Sequence, residues 1–360
     1  MFAMAAASDA ESTFYPKITT HIPEVVERLQ TMHRTSEFTG TESSIRSIPI
    51  VGTVKLHGTH ADVLVYSNNN IVFQSRNTTG LSAAKDNQGF AAAMSSRTAI
   101  LLKLRDAYLA QWKKLNAERA LDQSLPLIIA GEWIGEKIQK DVAISQLSRR
   151  FVIVSINING QWQNDQNYAD IDSPEHDIYN ISRAGLYHAI LYPEEIQHTI
   201  SETERMAEKV AANCPFAITF GVSGPGEGIV WKPSSTEYNS NANLWFKTKG
   251  GKFKPTPYRP PRKPLNAETT EERRTEAANA AKSWCSTQRL EQGWDVMREK
   301  SIMRDAQGLG AFLPWVQQDV LIEEKVQIRE SGIDEAILKV EIAKIAKPWY
   351  RARVRQENGL

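Results

Sequence analysis

The sequence predicts an α+β protein with a mostly antiparallel sheet, followed by an all-helical second domain. Three observations carry this reading. Short apolar-alternating runs bounded by turn residues recur through 48–76 and 126–158. A helical stripe fills 90–118. Five prolines punctuate KPTPYRPPRKPLN (254–266), after which the composition turns to Ala, Glu, Lys, Arg and Leu.

Taken in order, residues 1–35 read as a lead-in ending in a short helix from Pro23 to about His33. IPIVGTVKLHG (48–58), ADVLVY (61–66) and IVFQSR (71–76) read as strands. The Ser67–Asn70 turn makes a hairpin with Lys55 near its entry. Ile100, Leu104, Tyr108, Trp112 and Leu115 form the core stripe of the 90–118 helix. LPLIIAGEW, opened by Pro126, and FVIVSINI (151–158) are strands. The polar stretch 161–199 and the first 50 residues carry no readable chemistry. A helix at about 200–212 precedes short strands at 216–222, 228–232 and 244–249. The expected organisation is a lead-in (1–35), a sheet-bearing domain (36–254), a Pro-rich linker (255–266) and a helical domain (267–360).

Composition excludes several classes. Lys plus Arg number 43 against 42 Asp plus Glu, so any nucleic-acid contact needs its positive charge gathered on one face. The two cysteines, Cys214 and Cys285, cannot make a zinc knuckle or a disulfide scaffold, and a reducing compartment is expected. No 18-residue apolar run exists, and the N-terminus lacks a basic segment. The expectation is an intracellular chain, cytoplasmic or nuclear, not secreted, without membrane contact and monomeric.

The chemistry starts at Lys55. Apolar Val54 and Leu56 flank it, and Gly58 ends the run. Desolvation and nearby cations disfavour an ammonium there, which makes a usable nucleophile. A lone Lys-x-x-Gly more often marks a lysine at a strand edge. Four further stretches follow in order: Arg76 in IVFQSRN, Glu132 in AGEWIGEKIQK, Glu227 and Lys232 in GPGEGIVWKP, and Lys247 with Lys249 in LWFKTKGGKFK. Lysines two apart in a strand share a face, which is costly unless an anion lies between them. Phosphate is the natural anion. GVSGPGEG (221–228) lacks the Gly-Lys-Ser/Thr ending of a phosphate loop, and turn chemistry explains its glycines.

This ordered set resembles the covalent nucleotidyltransferase superfamily of polynucleotide ligases and capping enzymes. KLHG resembles motif I, SRN motif Ia, GEW motif III, FVIVSI motif IIIa, EGIVWK motif IV and KTK motif V. With His57 where most ligases carry Asp, the chain is similar to ATP-dependent RNA ligases of the phage RNA ligase 2 type, including the kinetoplastid editing ligases. The helical C-terminal domain also resembles that of the phage enzyme.

The resemblance implies an antiparallel-sheet, ATP-grasp-like nucleotidyltransferase domain. It implies ATP and Mg²⁺ as cofactors, and RNA with 5′-phosphate and 3′-hydroxyl ends as partner, in a nicked duplex or a broken strand. It implies Lys55 as the nucleophile that carries AMP, and Lys247 and Lys249 as neutralisers of the α-phosphate. Lys232 would do the same or sit against the triphosphate. Arg76 would contact phosphate or ribose, Glu132 the ribose hydroxyls, and Glu227 the waters of the metal. Gly58 belongs to the nucleotide site. His57 is either a nucleotide contact or a structural hydrogen-bonding residue. The adenine-stacking position falls on Phe151 or on Val154, which cannot stack. His60 stands where the nearest relatives carry Asn, and Ser155 where an Asp is common. Arg259, Arg262, Lys263, Arg273 and Arg274 form either an RNA-docking cluster or a solvated face interleaved with Glu271 and Glu272. Two other functions fit less well. A capping-type guanylyltransferase would place short strands after motif V, and a non-catalytic RNA-binding derivative would have lost the lysine.

Overall fold

A computed structural model describes residues 14–35, 46–254 and 270–357. The Pro-rich stretch 255–266, with Arg259, Arg262 and Lys263, lies outside the described residues. The chain divides into two compact units, Met1–Phe253 and Lys254–Leu360.

The first unit is α+β and holds two sheets. β1 (Ile48–Lys55) lies between β8 (Tyr187–Leu191) and β9 (Gly228–Pro233), and β10 (Phe246–Lys249) pairs with β9. The second sheet runs β3 (Ile71–Ser75), β2 (Thr59–Val65), β4 (Leu127–Ile134), β5 (Arg150–Ile158) and β6 (Gln161–Trp162). Among the described residues every pairing between these strands is antiparallel except that of β7 (Ile178–Asn180) with β5. The expected hairpin is thus β2–β3. β1 belongs to the other sheet, so the chain crosses between sheets at Leu56–Gly58, immediately after Lys55.

Alternation assigns the faces. In the first sheet Ile48, Ile50, Val54, Ile229, Trp231 and Phe246 enter a core with α1 (Ile22–Thr35) and α4 (Ile196–Ala212). Lys55, Val230, Lys232, Lys247 and Lys249 therefore take the opposite face. In the second sheet Ala61, Val63, Val65, Phe73, Leu127 and Ile129 pack on α2 (Phe90–Ser95) and α3 (Thr98–Leu115). His60, Asp62, Gln74 and Glu132 take its other face. Tyr15, Ile18, Ala130, Trp162 and Trp245, with Val154 and Val230 against them, fill part of the space where these two faces meet.

Some local expectations change. The 90–118 helix is broken at Ser96–Arg97, and its buried stripe is Leu101, Leu104, Tyr108 and Trp112. Leu115 is exposed. The strand expected at 216–222 is instead a short helix, α5 (Pro215–Ile218), because Pro215 occupies the first helical turn, where its missing N–H costs nothing.

The second unit is all helical: α6 (Thr270–Trp284), α7 (Thr287–Glu299), α8 (Leu309–Glu323), α9 (Lys325–Ser331) and α10 (Glu335–Glu357). Its core includes Trp284, Trp294, Phe312, Leu338 and Tyr350.

Candidate active site

Glu227 is the hub. It precedes β9 and is 1% exposed. Its Oε2 receives the Lys55 Nζ at 2.7 Å and faces His57 Nδ1 at 3.3 Å. Its Oε1 lies 3.3 Å from the Lys249 Nζ. The register explains this convergence. Lys55 and Lys249 both pair with Gly228, from opposite sides of β9. A Cβ on Gly228 would lie 2.1 Å from the Thr248 carbonyl oxygen, so only glycine lets β10 approach. Burial alone would raise the Glu227 carboxyl; Lys55, Lys249 and His57 outweigh it and hold the group well below the usual carboxylate range.

Glu132 lies on β4, opposite His60 on β2. Burial pushes its carboxyl up, only partly offset by the fields of His60, Lys55 and Arg76. The two glutamates are therefore driven in opposite directions. Gly58 lies against this strand: a Cβ there would meet the Trp133 carbonyl oxygen at 2.6 Å and Glu132 Oε2 at 3.0 Å. Arg76, just past β3, donates from Nη1 to the Tyr15 carbonyl at 3.1 Å and lies over the Tyr15 ring. His60 stacks on Tyr15 at 4.9 Å between centroids, and its Nε2 is 2.8 Å from Asp62. His57 also packs its ring on Phe253, so its contacts are those of a hydrogen-bonding support for Glu227.

Two expected residues are not brought to this cluster. Phe151 is fully buried on the helix-covered face, against Phe90 and under Gly131. A β-bulge explains this. Ala130 pairs with Ser155 but Gly131 with Ile153, so Val154 is an extra residue that switches the facing of β5. Phe151 and Ile153 point to the core on one side of the bulge, Ile156 and Ile158 on the other. Val154 thus takes the place on the cleft side, without an aromatic ring.

Lys232 is also displaced. Four residues along β9 from Gly228, it sits about 13 Å from the row of Lys55. Its Nζ contacts Asp165 Oδ2 at 2.6 Å, the Ser155 Oγ, and the Val154 carbonyl at 3.4 Å. It lies 4.0 Å from the centre of the Trp245 ring. An ammonium has three donors, and all three are engaged. These contacts tie Lys232 to Asp165 and β5 rather than to the Glu227 cluster.

Tyr15, Asp62 and Asp165 are participants that the motifs do not reveal. FYPKI (14–18), with its adjacent aromatics, is the one hint. Thr19, following it, bridges to Phe246 and accepts from the Lys247 N–H at 2.8 Å, which brings the segment against β10.

Among the described residues no three His, Cys, Asp or Glu side chains converge as a metal cage. Glu227 Oε1, near Lys249 but accepting no hydrogen bond in good geometry, is a buried acceptor able to take a metal-bound water. That fits a hydrated cation held mainly by its substrate. No helix of the described residues is long and apolar enough to cross a membrane.

Solved Naegleria gruberi RNA ligase structures align with part of this chain. A lysine-to-methionine variant with AMP and Mn aligns at 18% identity over 67% of this chain and 57% of that one, TM-score 0.37. The form with PPi aligns at 19% over 68% and 57%, TM-score 0.37. A lysine-to-alanine variant with ATP and Mn aligns at 18% over 67% and 58%, TM-score 0.37. This chain therefore spans under two thirds of the length of those proteins. No curated protein matches it. The RNA ligase family matches residues 48–249, from the first residue of β1 to the last of β10 and over more than half of the sequence. The chain belongs to the RNA ligase family.

Proposed function

We propose that the protein is an ATP-dependent RNA ligase that joins a 3′-hydroxyl to a 5′-phosphate through a lysyl-N-AMP and an RNA-adenylate. The observation that carries this is the convergence of Lys55, Lys249 and His57 on the buried Glu227. In the first step Lys55, its ammonium having released a proton to solvent, forms a bond from Nζ to the α-phosphorus of ATP, and the nitrogen sheds a second proton to solvent. The bond to the β-phosphate oxygen breaks, and pyrophosphate leaves. The RNA 5′-phosphate oxygen then displaces the lysine nitrogen, giving RNA-adenylate. Finally the 3′-hydroxyl attacks the 5′-phosphorus and AMP departs.

Lys247 and Lys249, on one face of β10, neutralise the charge that builds on the phosphate. Their positioning replaces much of the chemistry a phosphoryl transfer would otherwise need. Glu227 is held in its charged form by the cations around it. It acts as a counter-ion, held by its three neighbours. Glu132, on the opposite sheet, is the carboxylate suited to the ribose hydroxyls, with Arg76 beside it. A divalent cation, Mg²⁺ in the cell, would be held by ATP phosphates and by Glu227 through water, and would supply further charge neutralisation.

Intact mass after incubation with ATP and Mg²⁺ tests the reading. The expected result is an AMP adduct that Lys55→Ala lacks, with joining of pre-adenylylated RNA surviving in part. A folded wild-type chain without an adduct, or an adduct on Lys55→Ala, would overturn it. Labelling by GTP in preference to ATP would favour a capping enzyme. Nicked duplex, single-stranded and broken-loop RNAs with 5′-phosphate identify the substrate.

A further inference from the structure

The stretch after β5 carries no motif, yet the fold brings one of its carboxylates into the gap between the sheets. Asn164 caps a one-turn helix, Asp165–Tyr168, by accepting from the Gln166 N–H. It also donates to the Ser234 carbonyl at 3.2 Å, which ties this turn to the end of β9. Asp165 is thereby set against Lys232, with Oδ2 at 2.6 Å from Nζ. Lys232 comes from one sheet. Its other two partners, Val154 and Ser155, come from the bulge of the other. The ammonium is a bolt between the two sheets, about 13 Å along β9 from the row of Lys55. A hydroxyl at 155 can accept from this bolt but cannot balance its charge. A lysine 5% exposed without a carboxylate would be costly.

We propose that Asp165 is a positioning residue for the nucleotide cleft, holding Lys232 as a cross-sheet strut that fixes the spacing of the sheets at the end remote from Lys55. The carboxylate missing from β5 at Ser155 is supplied instead from the segment that follows. Burial pushes the Asp165 carboxyl up and the Lys232 ammonium down, and each group is drawn back by the other, as expected of a mutually dependent pair.

The proposal rests on the nucleotidyl-transfer reading above, and the experiment separates the two. The proteins are the full chain, Asp165→Asn, and Asp165→Asn combined with Ser155→Asp. The readouts are KM and kcat for self-adenylylation, the Kd of an α,β-methylene ATP analogue, and Tm. Asp165→Asn should raise KM and Kd about tenfold or more while kcat changes less than about threefold. Ser155→Asp in that background should restore both affinities, because residue 155 touches the same ammonium. Unchanged affinities in Asp165→Asn overturn the proposal. So does a double variant that regains wild-type Tm without regaining affinity. Where Asp165→Asn does not fold, the double variant decides by the same criterion. A wild-type chain that takes no AMP refutes the function itself; one that takes AMP normally while Asp165→Asn binds unchanged refutes only the strut.

Discussion

At the scale of single residues, two glutamates, Glu227 buried and Glu132 half-buried, are pushed in opposite directions, and each makes its own prediction. For Glu227 burial raises the carboxyl, but Lys55, Lys249 and His57 dominate, so its folded value lies below the unfolded one. A depressed carboxylate stabilises the fold above its unfolded value of about 4.3 and loses that contribution as pH falls through the folded value. Glu227→Gln should cost on the order of 2 kcal/mol at pH 7, less than a fully buried pair because Lys55 and Lys249 keep some solvent. Urea unfolding at pH 7 and pH 3 should show the gap between variant and wild type shrinking on acidification; a gap constant with pH would contradict the ion cluster. Glu132 has the reverse sign. Its folded value is raised by burial, so the ionised group burdens the fold above that value, and the burden lifts as pH falls towards about 4.3. Glu132→Gln should keep or raise Tm at pH 7 while weakening ATP binding about tenfold or more. A variant that loses stability and affinity together would show that Glu132 is merely structural. The facing of Lys55 and Lys249 is legible in the sequence because their strands fix it. That of Phe151 is not, because one bulge residue, Val154, reverses that facing, and no local pattern marks a bulge. Asp165 cannot be told from Asp170 or Asp172 by sequence, since its partner lies 67 residues away.

At the scale of elements, the site depends on how closely β10 lies on β9. Gly228 faces the Thr248 carbonyl and the Lys249 Cα, which an added Cβ would meet at 2.1 and 2.9 Å. Gly228→Ala should force the strands apart and carry Lys249 away from Glu227, costing about 1–3 kcal/mol and at least about tenfold in the adenylylation rate. Gly310→Ala, in α8 with open space around the added methyl, is the control and should be neutral or stabilising by about 0.5–1 kcal/mol. Equal activity in the two variants would remove the strand contact from the account. Strand positions are largely readable from period-two alternation, and the α+β class follows from them. Sheet membership is not: β1 and β2 are consecutive, separated by Leu56–Gly58, and look like a hairpin, yet they belong to different sheets. Pairing is decided by partners far along the chain, β8 and β9 for β1 and β4 for β2, and local propensity does not encode them.

At the scale of the molecule, each unit closes its own core. The clusters built around the two sheets draw on residues between Tyr15 and Phe253, and the helical cluster on residues between Ala277 and Tyr350. The sequence places its own division at the proline-rich stretch, because a prolyl chain neither continues a helix nor pairs as a central strand. The role of the helical unit is less legible, since its charges alternate. Arg273 and Arg274 on α6 follow Glu271 and Glu272, and all four are exposed. If those arginines dock RNA, they act through phosphate contacts, which displace counterions and make affinity fall with salt. A chain lacking residues 254–360 should then remain folded and take AMP from ATP at near the full-length rate, because Lys55, Glu132, Glu227 and Lys249 all lie before the cut. It should lose nick sealing by about tenfold or more, and its RNA affinity should respond less steeply to salt, by about one unit of slope for each phosphate contact removed. Arg273→Ala with Arg274→Ala in the full chain should reproduce part of that change in slope without altering self-adenylylation. Should the truncated chain fold, take AMP and seal as well as the full chain, with the same salt slope, docking by the helical unit would be refuted and RNA contact would fall to the sheet-bearing unit.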